Sequence, residues 1–571
     1  MNHLRSSRKV RVSAKAVNAR LARCTSSTRK YFRLQRSVRG SIANPLTIPG
    51  GVTNLHLRFA KGVTISSTGV ALKVGSWVEY NDANQTGPLE GERYSGDTDW
   101  ATSGENLAVG KWIWAYDSLF VETHQANATT RICTGQLIKV ATSLAEAFTF
   151  SPQLYQSIGN YAGGMAYRDV SGLVCENISI VGARVRGLGA EQHTTSCSGI
   201  LVGLSSGVTV KRCRITACYQ QAVLIDRSVN CTVDRVSFDR LKYTNDESSA
   251  PGGYGVELNR ANNCTVSNIA GRRTRYVVSY QQGSAGGTLT GVFGDATSAV
   301  VDTHGGQCSD LVWRRIYSDT SMIRLGNPSW RFTSDRMDIA DCYVDQVHLV
   351  AAYDSTLNNI HARSTRIMMG GGAATCTLDP LDSKPGVVNT TVSNSTFTGP
   401  ASGSGDRPVH ITNCKTWTGD VGPPIQDLRF LNCSFDSTAG GVQSVWIEPV
   451  PQPGMSHNLM FDGCTFVTTG LNVETFVFSS YGYSAGGSDI AISLDNCSFN
   501  LKSGRKICNA ASGWSDPTVE FTFHTDNQVK FDAGSYVAVT STTATDKTYI
   551  SAPGITSPSG AWAGTALVWP H

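Results

Sequence analysis

The chain has 571 residues, of which 16% are charged and 57 are Gly, and it contains no apolar run approaching the roughly 18 residues that a membrane helix needs. Its 16 cysteines are too sparse for a small disulfide scaffold, and no C-x-x-C occurs, so zinc-ligand spacing is absent and neither a metal nor a cofactor is expected. The net charge of +5 divides unevenly: residues 1–40 hold 12 Lys/Arg and no Asp or Glu, which leaves 49 − 12 = 37 basic against 44 acidic residues in the rest.

Residues 1–40, with RSSRKVRVSAKAVNARLARC, form a basic arm suited to an acidic protein surface or to nucleic acid, and similar to an organellar transit peptide. Residues 41–170 carry bulky alternating runs, GSWVEYND, GKWIWAYDSLFVETH and TGQLIKVATSLAEAFTFSPQLY, which predict an N-terminal cap and first coils. From 171 to 510 one motif returns again and again. VKRCRIT, VDRVSFD, IADCYVD, VSNSTFT, FLNCSFD, FDGCTFV and LDNCSFN share an apolar start, a small fourth residue and an apolar sixth, and ITNCKTW shares the first two. Cys213, Val236, Cys342, Ser395, Cys414, Cys433, Cys464 and Cys497 fill the fourth slot. Exchange of Cys with Val and Ser points to a small inward position rather than a disulfide partner, and Asn or Asp just before it suits a bend. The N-x-[ST] sequons at Asn432 and Asn496 are by-products of that bend.

A second series, AVLID, GVELN, YVVSY, AVVDT and SMIRL, runs in step with the first. Both series lengthen where KYTNDESSAPGG (242–253) intervenes, so a single insertion displaces both. Two or three short strands per turn predict an all-β, right-handed parallel β-helix, traceable from LVCENISIVG to LDNCSFN, with short closing strands and a tail over 511–571.

Outward positions of the second series stack into a polar column. Asp226, Glu257, Asp302 and His304 are the candidate catalytic residues, and Asn259, Tyr280, Gln281, Arg324 and Trp330 the candidate substrate-binding ones, with Tyr243, Asp246, Glu247 and Tyr254 on or beside the inserted loop. Glu257 and Asp302, two coils apart at about 9 to 10 Å, approach the separation of an inverting glycosidase, while Asp226 with Glu257 is nearer the retaining one. A lyase would use His304 or Tyr280 as base with Arg324 beside a uronate. Strand-end carboxylates also serve as turn caps, and Trp112, Trp114, Trp330 and Trp417 serve as packing as well as sugar platforms.

The N-C-x-[FV] coils, VDTHGG at a strand end and the lead-in TGQLIKVATS…PQLY…VCENISIVGARVRG resemble phage tailspike and tail-associated β-helix proteins of the pectate-lyase-like superfamily, over roughly 130–500. The resemblance implies a homotrimer on a virion tail, joined to other tail or baseplate proteins through its N-terminal arm, that binds and cleaves bacterial capsular, exo- or lipopolysaccharide. The Asp-rich and G-H-G motifs of polygalacturonases and the calcium aspartates of pectate lyases are not found. A non-enzymatic spike and a cell-wall enzyme with a transit-like leader are the alternatives.

Overall fold

A computed structural model describes residues 12–21, 30–76, 87–90, 96–102, 107–117, 135–144, 147–155, 165–188, 197–241, 252–304, 308–326, 334–350, 352–369, 387–399, 407–413, 425–437, 443–447, 456–468, 475–478, 489–501, 508–510, 519–523, 528–531 and 548–551. Internal contacts divide the chain into two units, Met1–Val312 and Trp313–His571. The coil strands of each unit pair in parallel with their counterparts one coil on, which is the right-handed parallel β-helix that the repeat predicts.

In the first unit the coils begin at Lys30–Leu34, inside the segment read as an arm, and this strand pairs with Leu55–Phe59, which pairs with Ser179–Val181. The helix Ala14–Leu21 buries Ala14, Val17 and Leu21, with Asn18 gripping the Pro45 carbonyl and the Thr47 amide. Val12–Ser13 adds a short parallel strand on Val38–Arg39. These segments cover the open edge of the first coil, which basic composition alone does not reveal. Between two coils lies a separate closed barrel of six antiparallel strands within 87–169. Trp112 and Trp114 lie on its outer face, packed against the coil corner at Leu204 and Val229, while Ile113 and Ala115 of the same strand fill its interior, so both tryptophans are core residues and neither is a sugar platform.

The insertion at 242–253 acts as read. Thr232 lies opposite Thr265, Ser237 opposite Ala270 and Leu224 opposite Glu257, so all three faces of the coil cross the same lengthened connection in register.

The second unit explains the N-C-x-F motif letter by letter. Asp341, Asn359, Asn394, Asn432 and Asn496 have φ between 49° and 59°, the left-handed bend that Asn and Asp tolerate best, and Gly463 takes the same place at 63°. Amides bridge successive bends, as in Asn359 to Asp341 at 2.8 Å and Asn496 to Asp462 at 3.2 Å. The following slot is inward: Cys342 lies opposite Ile360, and the residues next in line, Thr396, Ser434, Thr465 and Ser498, pair in succession, so Ser395, Cys433, Cys464 and Cys497 stack above one another. The motif's Phe is inward too. Phe397, Phe435, Phe466 and Phe499 stack with ring centroids 5.7, 5.0 and 5.0 Å apart, and Phe430 and Phe461 meet that column edge-on. The eleven cysteines whose side chains are described are buried thiols.

Two placements differ from expectation. Val409–Asn413, the start of ITNCKTW, pairs with Thr365–Met369 and Val445–Ile447 on another face of the coil, because period-two alternation is shared by all faces and the motif does not specify which one; Cys414 itself lies outside the described residues. Val519–Phe523 and Gln528–Phe531 pair in parallel with the preceding coil, so they continue the solenoid rather than ending it with a different element.

Candidate active site on the second strand series

Four consecutive strands of the first unit carry the predicted column: Gln221–Asp226, Tyr254–Asn259, the end of Thr265–Gln281 and the end of Thr288–His304. Their register sorts the candidates into separate rows. Leu224, Glu257, Ser279 and Asp302 lie opposite one another, and so do Asp226, Asn259, Gln281 and His304. Glu257 and Asp302 therefore stand on the same row two coils apart, as the sequence predicts. Asp226 is offset from Glu257 by two positions along the neighbouring strand. The row between, Ile225, Leu258, Tyr280 and Thr303, points into the core. Tyr280 is fully buried there, so it is a core residue and not a substrate-facing phenol. Strand alternation puts it on the opposite face from its neighbours Ser279 and Gln281.

Asp226, Glu257, Gln281 and Asp302 are on the outward side, yet they are not solvated. Asp226 is 3% exposed, Glu257 6%, Gln281 7% and Asp302 0%. Burial on this scale requires internal partners, and several are present. Arg260 donates to Asp226 Oδ1 at 3.1 Å, and Arg227 stands 3.7 Å from Asp226 Oδ2. The Gln221 amide bonds Glu257 and is itself oriented by Ser198 Oγ at 2.8 Å. Gln281 donates to Ser279 Oγ at 3.2 Å. Tyr254 and Tyr276 stack at 5.1 Å, with the Arg275 guanidinium 5.9 Å and 5.0 Å from the two ring centres.

Electrostatics single out Glu257. Burial above all, and then the Asp226 and Asp302 carboxylates, push it up to about 7, against the opposing pull of the Gln221 hydrogen bond and of Arg260. A carboxyl group poised at neutral pH is the attribute of a general acid. Burial, followed by the charge of Glu257, also raises the Tyr254 phenol and keeps it protonated. Gln221, Arg260, Arg275 and Tyr276 are the partners that sequence reading missed. Arg260 had one legible signal, its position directly after GVELN at a coil corner, where its φ is 50°.

Arg324 lies on Met322–Leu325 of the second unit, opposite His348. The strand bearing His304 is described but its side chain is not, and Tyr243, Asp246, Glu247, Trp330 and Trp417 lie outside the described residues. Among the described residues no cluster of three or more His, Cys, Asp or Glu could hold a metal ion, and no helix is long and apolar enough to cross a membrane.

No protein-family model and no curated protein matches the chain. Solved structures similar to it include the tailspike gp49 of Pseudomonas phage LKA1, at 14% identity and TM-score 0.42, covering 88% of this chain and 77% of that one. Also similar is the gp54 tailspike of Acinetobacter baumannii phage AP22, solved with a capsular saccharide, at 10% identity and TM-score 0.46 over 94% and 74% of the two chains. The A-module of the Azotobacter vinelandii mannuronan C-5 epimerase AlgE4 is similar at 9% identity and TM-score 0.31 over 92% and 96%.

Proposed function

We propose that the chain is a tailspike-like protein of a virion tail, trimeric when assembled, that binds bacterial surface polysaccharide along the outer faces of its coils and cleaves glycosidic bonds with Glu257 as proton donor. The observation that carries the binding is an outward aromatic ladder in the second unit. Tyr317, Tyr343 and His361 stack nearly parallel, at 5.8 Å and 12° and then 4.4 Å and 17°, and Tyr343 is 51% exposed. Flat rings on an open face suit the apolar C–H face of a pyranose, and the neighbouring Asp345–Arg363 pair at 2.6 Å offers polar groups to its hydroxyls.

Cleavage rests on Glu257 and its raised pKa, with Asp302 on the same row as the second carboxylate. The near-complete burial of both favours a second reading, a spike that binds polysaccharide without cleaving it. Purified protein incubated with a panel of bacterial surface polysaccharides separates the two. New reducing ends without the ultraviolet absorbance of an unsaturated uronate support hydrolysis, and that absorbance would instead mean a lyase. Glu257→Gln is expected to lose a factor of about 10² to 10⁴ in rate while still binding. Binding without products leaves the non-enzymatic spike. Failure to bind any of the panel, or binding untouched by Tyr343→Ala, overturns the proposal.

A further inference from the structure

A different face of the first unit carries a basic groove that the reading above does not use. The strands Thr64–Ser67, Arg184–Gly187, Arg214–Thr216 and Ser237–Asp239 succeed one another in parallel. Arg184 lies directly opposite Arg214, and Arg186 opposite Thr216 and Ser66. Together with Arg240 and Thr64 these residues line a groove of about 750 Å³. Like charges directly opposite on adjacent strands, about 4.8 Å apart, repel and destabilise the pair unless something neutralises them. The nearest carboxylate on these strands is already engaged: Asp239 receives Arg273 at 2.7 Å on each oxygen and has Arg240 at 3.4 Å. Among the described residues no hydrogen bond or ion pair holds Arg184, Arg186 or Arg214, and no carboxylate lines the groove.

We infer that this groove is a binding site for a linear acidic polysaccharide, with Arg184, Arg186 and Arg214 taking successive carboxylates or other anionic substituents of the chain. Guanidinium groups are suited to this because each can grip a carboxylate through two parallel N–H donors. Thr64, opposite Arg184, and Thr216, opposite Arg186, add hydroxyl oxygens to the lining, the Thr216 hydroxyl donating to the Val185 carbonyl at 3.2 Å. Single-stranded nucleic acid is the less suited polyanion, because it is held by bases stacked on aromatic side chains and no aromatic ring lines the groove among the described residues. The site is independent of Glu257 and of the Tyr343 ladder, so it stands or falls without them.

Titration of the full chain with polygalacturonate oligomers, with neutral dextran and a single-stranded oligodeoxynucleotide as comparators, tests it. Polygalacturonate is expected to bind with an affinity that falls as salt rises, and dextran not to bind. Arg184→Gln and Arg214→Gln should each weaken binding roughly tenfold, the cost of one lost hydrogen-bonded charge. Arg235→Gln removes the same charge from an exposed bend residue outside the groove and should leave affinity unchanged. Equal melting temperatures of the three variants show that the fold is kept. Absence of polygalacturonate binding at low salt, equal weakening by Arg235→Gln, or tighter binding of the oligonucleotide at the same arginines overturns the inference.

Discussion

Glu257 sits beside Gln221 and Arg260 with Asp226 and Asp302 nearby, and the balance of those contacts makes pH dependence its clearest signature. A carboxyl raised from 4.5 to about 7 holds a proton in the folded chain that the unfolded chain has already released. Its stabilising effect is therefore complete below about pH 4.5 and is lost as pH rises through about 7. The loss is on the order of 3 kcal/mol at about 1.4 kcal/mol for each pH unit. Urea unfolding near pH 4 and near pH 8 should show this slope in the parent and a flatter one in Glu257→Gln, which should be the more stable of the two near pH 8. Identical slopes would mean that Glu257 titrates as an ordinary carboxylate. Because Glu257 and Asp302 are buried, an amide variant at either is expected to change stability as well as rate.

Along the coil, the bend, slot and stack of N-C-x-F make unequal contributions. Cys433, Cys464 and Cys497 each donate to the carbonyl two residues earlier, at 3.4, 3.5 and 3.2 Å, and Ser395 makes the same bond at 2.7 Å in its own coil. Cys464→Ser therefore keeps a partner for its hydroxyl and should cost no more than about 1.5 kcal/mol. Phe435→Ala instead opens a cavity between Phe397 and Phe466 and should cost about 3 to 5 kcal/mol in the same urea assay. A serine variant as damaging as the alanine one would show that sulfur packing, not size, governs the slot. Thiol titration of the denatured chain without reductant should find at least eleven reactive thiols, those of the cysteines whose buried side chains are described.

For the whole molecule, the N-terminal segments cover the first coil: Ala14–Leu21 buries an apolar face, and Val12–Ser13 and Lys30–Leu34 extend the sheets. Deleting residues 1–40 should uncover Leu46, Ile48 and an unpaired parallel edge, and give aggregates rather than a folded solenoid. Light scattering of the truncated chain checks this, and a monodisperse, folded product would show the cover to be dispensable. The same measurement on the full chain tests the proposed trimer, for which a monomeric mass is the adverse result.

The spacing of small and apolar residues by itself determined the coil, its strands, the insertion at 242–253 and the inward cysteines, because period-two alternation and a left-handed Asn before a small residue are local requirements of the chain. It placed Glu257 and Asp302 on one row for the same reason. Tyr280 was misplaced where a column was read through successive residues without assigning each to a face. Whether an outward residue is wet or covered, which carboxylate meets an arginine, and which arginines meet none depend on neighbours one coil away or more. Arg260 reaches Asp226, and Arg184 faces Arg214, only after the coils have stacked. Those long-range juxtapositions, and the capping of the first coil by a segment that reads as a basic arm, were decided by the tertiary structure alone, because free energies of burial and pairing are properties of the assembled surface rather than of any local stretch.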